Sequence, residues 1–333
     1  MTHEQEIERH RQTLRQLNAD SRAALSGPQS TLSNPAYFET IPGVASRPTA
    51  EREVLHKKWI SQVIELAGGG AEGGRAVVMA GPPGAGKGTV QKDILKLDGY
   101  VVCDPDIFKE LILEHELDSG QLELLKSAQV KELEAAGEVF APMDFSTQVH
   151  REAVMLRDLL QDELMSKNIN FVLDTVLSSE RAAEAIMEEL DDSQYRYFVV
   201  SVQASEKLTQ EGIRQRWEDG YRQFLDGEST LKGKIGGRPV PSEFARSVYG
   251  NDGVSVTEGT SRRLAERGSG VEGFQQYRRV EGRPHVLEKD LVTRDGMLIS
   301  KAADRQRSAF LAHSSSVRPR GKSSGRGDSG IQR

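Results

Sequence analysis

The chain has 333 residues, of which 37% are hydrophobic and 28% charged, enough apolar material for a packed core together with solvated helix surface or termini. A single cysteine, Cys103, excludes an intrachain disulfide framework and a Cys-rich zinc site, and the absence of an apolar signal-like segment or an eighteen-residue apolar run points away from secretion and membrane spanning, towards a cytoplasmic location. The formal net charge of −6 is uneven, because from Arg305 onward basic residues face Asp328 alone; that tail lacks interleaved aromatics, so a solubilising or partner-recruiting role is expected rather than nucleic-acid contact.

Residues 1 to about 25 read as a helix, with Ile7, Leu14 and Leu17 among charges, stopped by Ser26-Gly27-Pro28. The sparse apolar pattern favours a solvated arm over a partner-docking helix. Arg52 to Leu66 carries Val54, Leu55, Trp59, Val63 and Leu66 at helical spacing and ends at Gly68-Gly69-Gly70.

Arg75 to Ala80 is an apolar run of the buried-strand kind, followed by a Gly-rich loop and a helical stretch from Thr89 to Leu97. Further strands are expected at Tyr100 to Cys103, Asn170 to Leu173 and Tyr197 to Val202. Helical patterns separate them at Ile107 to Leu117, Leu122 to Glu138, Thr147 to Lys167 and Ser179 to Leu190, and Lys207 to Phe224 follows. That alternation predicts an α/β, P-loop NTPase-like fold with a doubly wound parallel sheet flanked by helices. Past Leu225 the pattern loosens into helices near Pro241 to Val248 and Thr260 to Arg267 and β-like runs at Phe274 to Val280 and Val286 to Thr293; from about Ala309 a disordered tail is expected.

The loop Gly81-Pro82-Pro83-Gly84-Ala85-Gly86-Lys87 fits G-x-x-x-x-G-K, whose glycines let backbone N–H groups converge on phosphate oxygens while the lysine reaches the β- and γ-phosphates, so ATP is the expected ligand. Gly88 stands where a magnesium-ligating hydroxyl is usual; Thr89 follows it, turned about 100° around the helix, and is the candidate Mg2+ ligand, directly or through water. The Gly-Lys-Gly-Thr ending is similar to that of adenylate kinases, but no Asp-Gly-Phe-Pro-Arg-type segment accompanies it.

At the carboxyl end of the next strand stand Asp104 and Asp106. Asp106 can take a proton from an acceptor hydroxyl and Asp104 can order the loop or a metal's water shell, or both can simply cap the following helix. Asp174, ending a strand, is a metal-shell carboxylate or a helix cap. Arg216 shares a charged helix with Arg214 and Glu218, where a solvated face is the alternative, and Arg238 follows Gly236-Gly237 in a lid or an exposed loop. Glu152 recurs with Leu156, Leu159 and Leu160, so it is either a buried charge answered by substrate or a surface residue. His150 and His285 read as ordinary histidines, with no ligand spacing around them.

The P-loop, the Asp-x-Asp-x-Phe-Lys run from Asp104 to Lys109, His150-Arg151-Glu152-Ala153, Val172-Leu173-Asp174-Thr175 and Arg238-Pro239-Val240-Pro241, in this order, resemble zeta toxin-type kinases over roughly Arg75 to Gly250. Asp174 stands where that family tends to have Glu, and Val176-Leu177-Ser178 replaces a Gly-rich, Arg-containing turn. The resemblance implies transfer of phosphate from ATP, with Mg2+, to the 3′-hydroxyl of UDP-N-acetylglucosamine or a related nucleotide sugar. It gives Lys87 the phosphates, Asp106 the role of general base, Glu152 a contact with the sugar nucleotide, and Arg216 and Arg238 the transferring group; it also implies an antitoxin that blocks the ATP site. The expected division is an arm and linker at 1–50, the kinase domain at 51–250, an extension packing on it at 251–308 and a basic tail at 309–333. Two other readings stay open: a kinase for a nucleoside monophosphate or an antibiotic hydroxyl, and a non-catalytic ATP-binding module whose N-terminal arm docks a partner.

Overall fold

The computed structural model describes residues 3–17, 21–39, 46–240 and 242–306, so the tail expected from Ala309 lies outside the described residues. Seven strands form one sheet: β1 (Arg75–Ala80), β2 (Val101–Cys103), β3 (Phe171–Thr175), β4 (Arg196–Gln203), β5 (Val271–Arg278), β6 (Val286–Arg294) and β7 (Met297–Ser300), in the spatial order β2-β3-β1-β4-β5-β6-β7. The first five run parallel and the last two antiparallel. Five consecutive residues of β1, Ala76 to Ala80, are buried, as an apolar run must be when helices cover both sheet faces; Val78 pairs with Leu173 on one side and Val199 on the other. At the open edge, β6 and β7 are only half-buried and carry Lys289, Asp290 and Arg294, charges that discourage edge-to-edge pairing.

The region expected as an extension packing on the core thus supplies β5, β6 and β7 to the main sheet, with β5 an interior strand. The four-residue β7 has no sequence signature long enough to announce it. The helix expected at Leu122 to Glu138 is broken into a 3-10 turn, Gln121–Leu125, and a helix, Ala128–Ala135, because the Ser127 side chain caps Val130 N–H and starts a new element. The stretch after the P-loop is irregular as well: a single turn, Lys87–Thr89, passes into a widened turn at Val90–Leu95 that ends on Lys96 in the left-handed region (φ 48°).

Two helices pack differently from expectation. Helix α1 (His3–Leu17) is docked rather than solvated: Ile7, His10 and Leu14 form its buried stripe, and the His10 ring stacks on Tyr221 at 4.4 Å. Glu138 and Asp144 take the two ring nitrogens of His10 at 2.8 and 2.9 Å, so a polar residue completes a stripe that apolar counting alone makes look sparse. Helix α2 (Ala50–Leu66) buries Arg52, His56, Trp59, Ile60 and Val63, whereas Val54 and Leu66 are exposed. Its inward face is therefore rotated from the apolar stripe, because the partners of Arg52 and His56 lie inside the protein.

Candidate active site

The carboxyl ends of β1, β2 and β3 open into a cavity of about 1390 Å³. The P-loop forms one wall, with Pro82, Pro83, Gly84, Gly86, Lys87, Gly88 and Thr89 all lining it. Gly84 and Gly86 are left-handed (φ 79° and 92°), and a Cβ would meet Thr209 O at 2.4 Å in the first and His285 Nε2 at 2.5 Å in the second, so both positions require glycine. Ala85 is buried behind the loop. Lys87 Nζ donates to Gly81 O at 2.9 Å and lies 3.4 Å from Asp174 Oδ1.

Helix α3 (Pro105–Asp118) starts at Asp104, whose Oδ1 accepts Asp106 N–H at 2.9 Å, with Pro105 in the first helical position. Asp104 is therefore the cap and Asp106 is left free for other work. The Asp106 carboxylate accepts from Lys109 Nζ at 3.0 Å and pairs with Arg238. Burial, and then the charge of Asp174, push Asp104 up to about 6; burial also raises Asp174.

This elevation has a measurable consequence. A carboxyl raised in the folded state is ionised there at a cost that is present above about pH 6 and vanishes below the unfolded value near 4. Asp104→Asn keeps a capping side chain and removes that cost. It should stabilise the ligand-free protein by about 1–3 kcal/mol at pH 7.5 in urea titrations, with the gain disappearing as the pH falls through 6 towards 4. A gain equal at both pH values would show that ionisation is not its source.

Helix α5 (Glu206–Leu225) brings Arg216 to the same cavity, where its Nε and Nη2 are shut from solvent without a hydrogen-bond acceptor among the described residues. The solvated-face reading holds for Arg214, which pairs with Glu218 at 3.3 Å, but not for Arg216 two positions on. Burial works against its charge and lowers its pKa, while Asp104 and Asp174 oppose the shift. Arg238, seated after Gly236-Gly237, is also burdened by burial and faces Asp106 rather than bulk water.

Glu152 lies elsewhere. Helix α4 (His150–Ser166) buries it completely, away from the cavity lining, and Arg52 donates to it through Nε at 2.6 Å and Nη2 at 2.9 Å, with His56 Nε2 at 2.7 Å. The charge expected to be answered by acceptor is answered by α2 instead. Burial alone would raise its pKa, but the bonds from His56 and Arg52 outweigh that and hold the carboxyl below its ordinary value. Arg52 also reaches Glu116 at 2.8 Å, so breaking this network leaves buried charges unpaired. Glu152→Ala should cost about 3–5 kcal/mol of stability, measured by denaturant unfolding, while the affinity of the folded variant for AMP-PNP in the cavity stays unchanged.

Several cavity residues escape sequence reading. His150, Lys109 and Arg157 line the cavity, and burial pushes His150 down to about 4, so it is neutral. Arg279 Nη1 donates to Gly84 O at 2.8 Å and His285 Nε2 lies 3.0 Å from Ala85 O, clamping the P-loop from the β5–β6 connection. No local motif marks those two; they arrive through the pairing of β5 with β4.

The sequence profile of the family described as zeta toxin matches residues 72–267. No curated protein matches the chain. Among solved structures, the crystal structure of AvrRxo1-ORF1:AvrRxo1-ORF2 with sulphate ions superposes with a TM-score of 0.53 at 16% identity, covering 82% of this chain and 80% of that one. The complex described as AvrRxo1-ORF1:-ORF2 with ATP gives a TM-score of 0.53 at 16% identity, covering 82% and 79%. At this identity the likeness speaks to the fold, a mostly parallel sheet flanked by helices. The profile match spans more than half of the chain, around a P-loop that shares its cavity with two carboxylate-bearing strand ends and four arginines, and the protein belongs to the zeta toxin family.

Proposed function

We propose that the protein is an ATP-dependent kinase that phosphorylates a hydroxyl of a small acceptor, a nucleotide sugar such as UDP-N-acetylglucosamine, in the cytoplasm. The observation that carries this reading is Arg216: a half-buried guanidinium beside a P-loop whose Nε and Nη2, shut from solvent, have no acceptor among the described residues is matched by the oxygens of a transferring phosphoryl group. The family supports the reading, and so does the ATP in a complex of the same fold.

Residues Gly81 to Thr89 hold the nucleotide, with Lys87 exchanging its contacts with Gly81 O and Asp174 for the β- and γ-phosphates. Asp106 takes the proton of the acceptor hydroxyl as that oxygen attacks the γ-phosphorus and the bond to the β–γ bridging oxygen breaks, leaving ADP. Arg238, paired with Asp106 at rest, turns to the phosphoryl oxygens and frees the carboxylate for the proton. Among the described residues no cluster of three or more His, Cys, Asp or Glu forms a metal site, but Mg2+ takes only one or two carboxylates together with phosphates. Asp174, Asp104 and the Thr89 hydroxyl, all in the cavity, fit that demand, and the ion would neutralise phosphate charge. The AvrRxo1 complexes contain a second protein chain, and a partner of antitoxin type belongs to this proposal.

Incubation with γ-labelled ATP and Mg2+ over a panel of UDP-N-acetylglucosamine, nucleoside monophosphates and hydroxylated antibiotics should place label on the first. Label on another member replaces the acceptor and keeps the kinase. Tight ATP binding with no labelled product would favour a non-catalytic module.

A further inference from the structure

The first residue past β5 ties three parts of the site together. Arg279 N–H donates to Gln203 O at 2.8 Å, which fixes its backbone to the end of β4 at the rim of the sheet. From there its Nη1 donates to Gly84 O in the P-loop at 2.8 Å and to Leu208 O near the start of α5 at 3.3 Å. One guanidinium nitrogen thus bridges the loop and the helix that carries Arg216.

Loop and helix meet at this point without a spacer. A Cβ on Gly84 would lie 2.4 Å from Thr209 O and 3.0 Å from Ile213 Cγ1, and a Cβ on Gly212 would lie 2.9 Å from Gly84 O and 2.6 Å from Arg279 Nη1. Glycine inside a helix is unfavourable relative to alanine, and this close approach is the reason for it at 212. Gly212 and Arg216 are four residues apart, on one face of α5 and about 6 Å apart along its axis, and both line the cavity. The junction of Gly84, Gly212 and Arg279 therefore sets how far the Arg216 donors stand from a phosphate held by the loop. Position 279 lies beyond the segment that matches the family, which ends at 267.

We propose that Arg279 is a positioning residue: it holds the P-loop against α5 so that the terminal phosphate of a bound triphosphate meets Arg216. This rests on the proposed role of Arg216 at the phosphoryl group, and not on transfer to any acceptor. A charge at 279 acting directly on phosphate would strengthen binding with or without Arg216, whereas a positioning effect vanishes once Arg216 is gone. A double-substitution cycle separates the two.

The test uses the full chain with Mg2+ and measures the ratio of AMP-PNP to ADP affinity by calorimetry, which reads contacts to the terminal phosphate. R216M should lower the ratio about tenfold and R279M about threefold or more, while R216M/R279M should match R216M alone. G212A keeps Arg279 but forces the helix and loop apart, so it should lower the ratio as R279M does; it carries the test if the R279M chain fails to fold. A ratio unchanged in R279M, or a loss from R279M as large without Arg216 as with it, overturns the assignment. An R216M ratio equal to the parent's also overturns it, because the contact that Arg279 serves is then absent. The two readings fail separately. Labelled product from an acceptor with an unchanged R279M ratio sinks the Arg279 assignment and leaves the kinase. The non-additive loss without labelled product from any acceptor keeps the assignment and sinks the kinase.

Discussion

Arg216→Met should lower phosphoryl transfer by about 10³–10⁵-fold while making the ligand-free protein more stable by about 1–3 kcal/mol. The two effects have one cause. The guanidinium sits among protein atoms with Nε and Nη2 unanswered, and burial already works against its charge. In the resting protein that is a desolvation cost with incomplete return; in the transition state the same donors meet charge spread over the phosphoryl oxygens. Methionine fills similar space without a charge. Initial rates with labelled ATP and urea denaturation of the same preparations read both effects. A variant that is slow and also less stable would mean that Arg216 holds the fold together, and an unchanged rate would remove it from the chemistry.

Asp106→Asn should cut kcat by about 10²–10⁴-fold with AMP-PNP affinity nearly unchanged. The substitution is clean because Asp104, not Asp106, caps α3, so the helix start survives. Asparagine keeps an oxygen for Lys109 and Arg238 but cannot accept the acceptor's proton. Single-turnover rates separate this from binding. If the variant turns over as the parent does, another group takes the proton.

Much of the parallel core was legible because it rests on local signals. Arg75–Ala80 is apolar throughout and is followed at once by glycines, and β3, β4 and their helices fall within a few residues of expectation. The P-loop, Asp104, Asp106, Asp174, Arg216 and Arg238 gather in one cavity because consecutive parallel strands end on the same side. What stayed illegible depends on partners distant in sequence. Arg52 and His56 break the apolar stripe of α2, and only the position of Glu152, about a hundred residues later, explains why they face inward. His10 likewise needs Glu138 and Asp144. The inward turn of Arg216, beside an Arg214 that faces water, is set by which side of α5 meets the sheet edge, and charge alone carries no such direction.

The place of β5 bears on how the chain can be shortened. A fragment stopping at Arg267, where the family match ends, would strip β4 of its neighbour along Tyr197 to Gln203 and leave the alternate backbone donors and acceptors that point towards β5 facing outward on an apolar strand. It would also lose the two side chains that grip the P-loop, Arg279 and His285. Such a truncated piece is a template for intermolecular strand addition, so the minimal folding unit runs past the homologous segment to the end of the hairpin edge at Ser300.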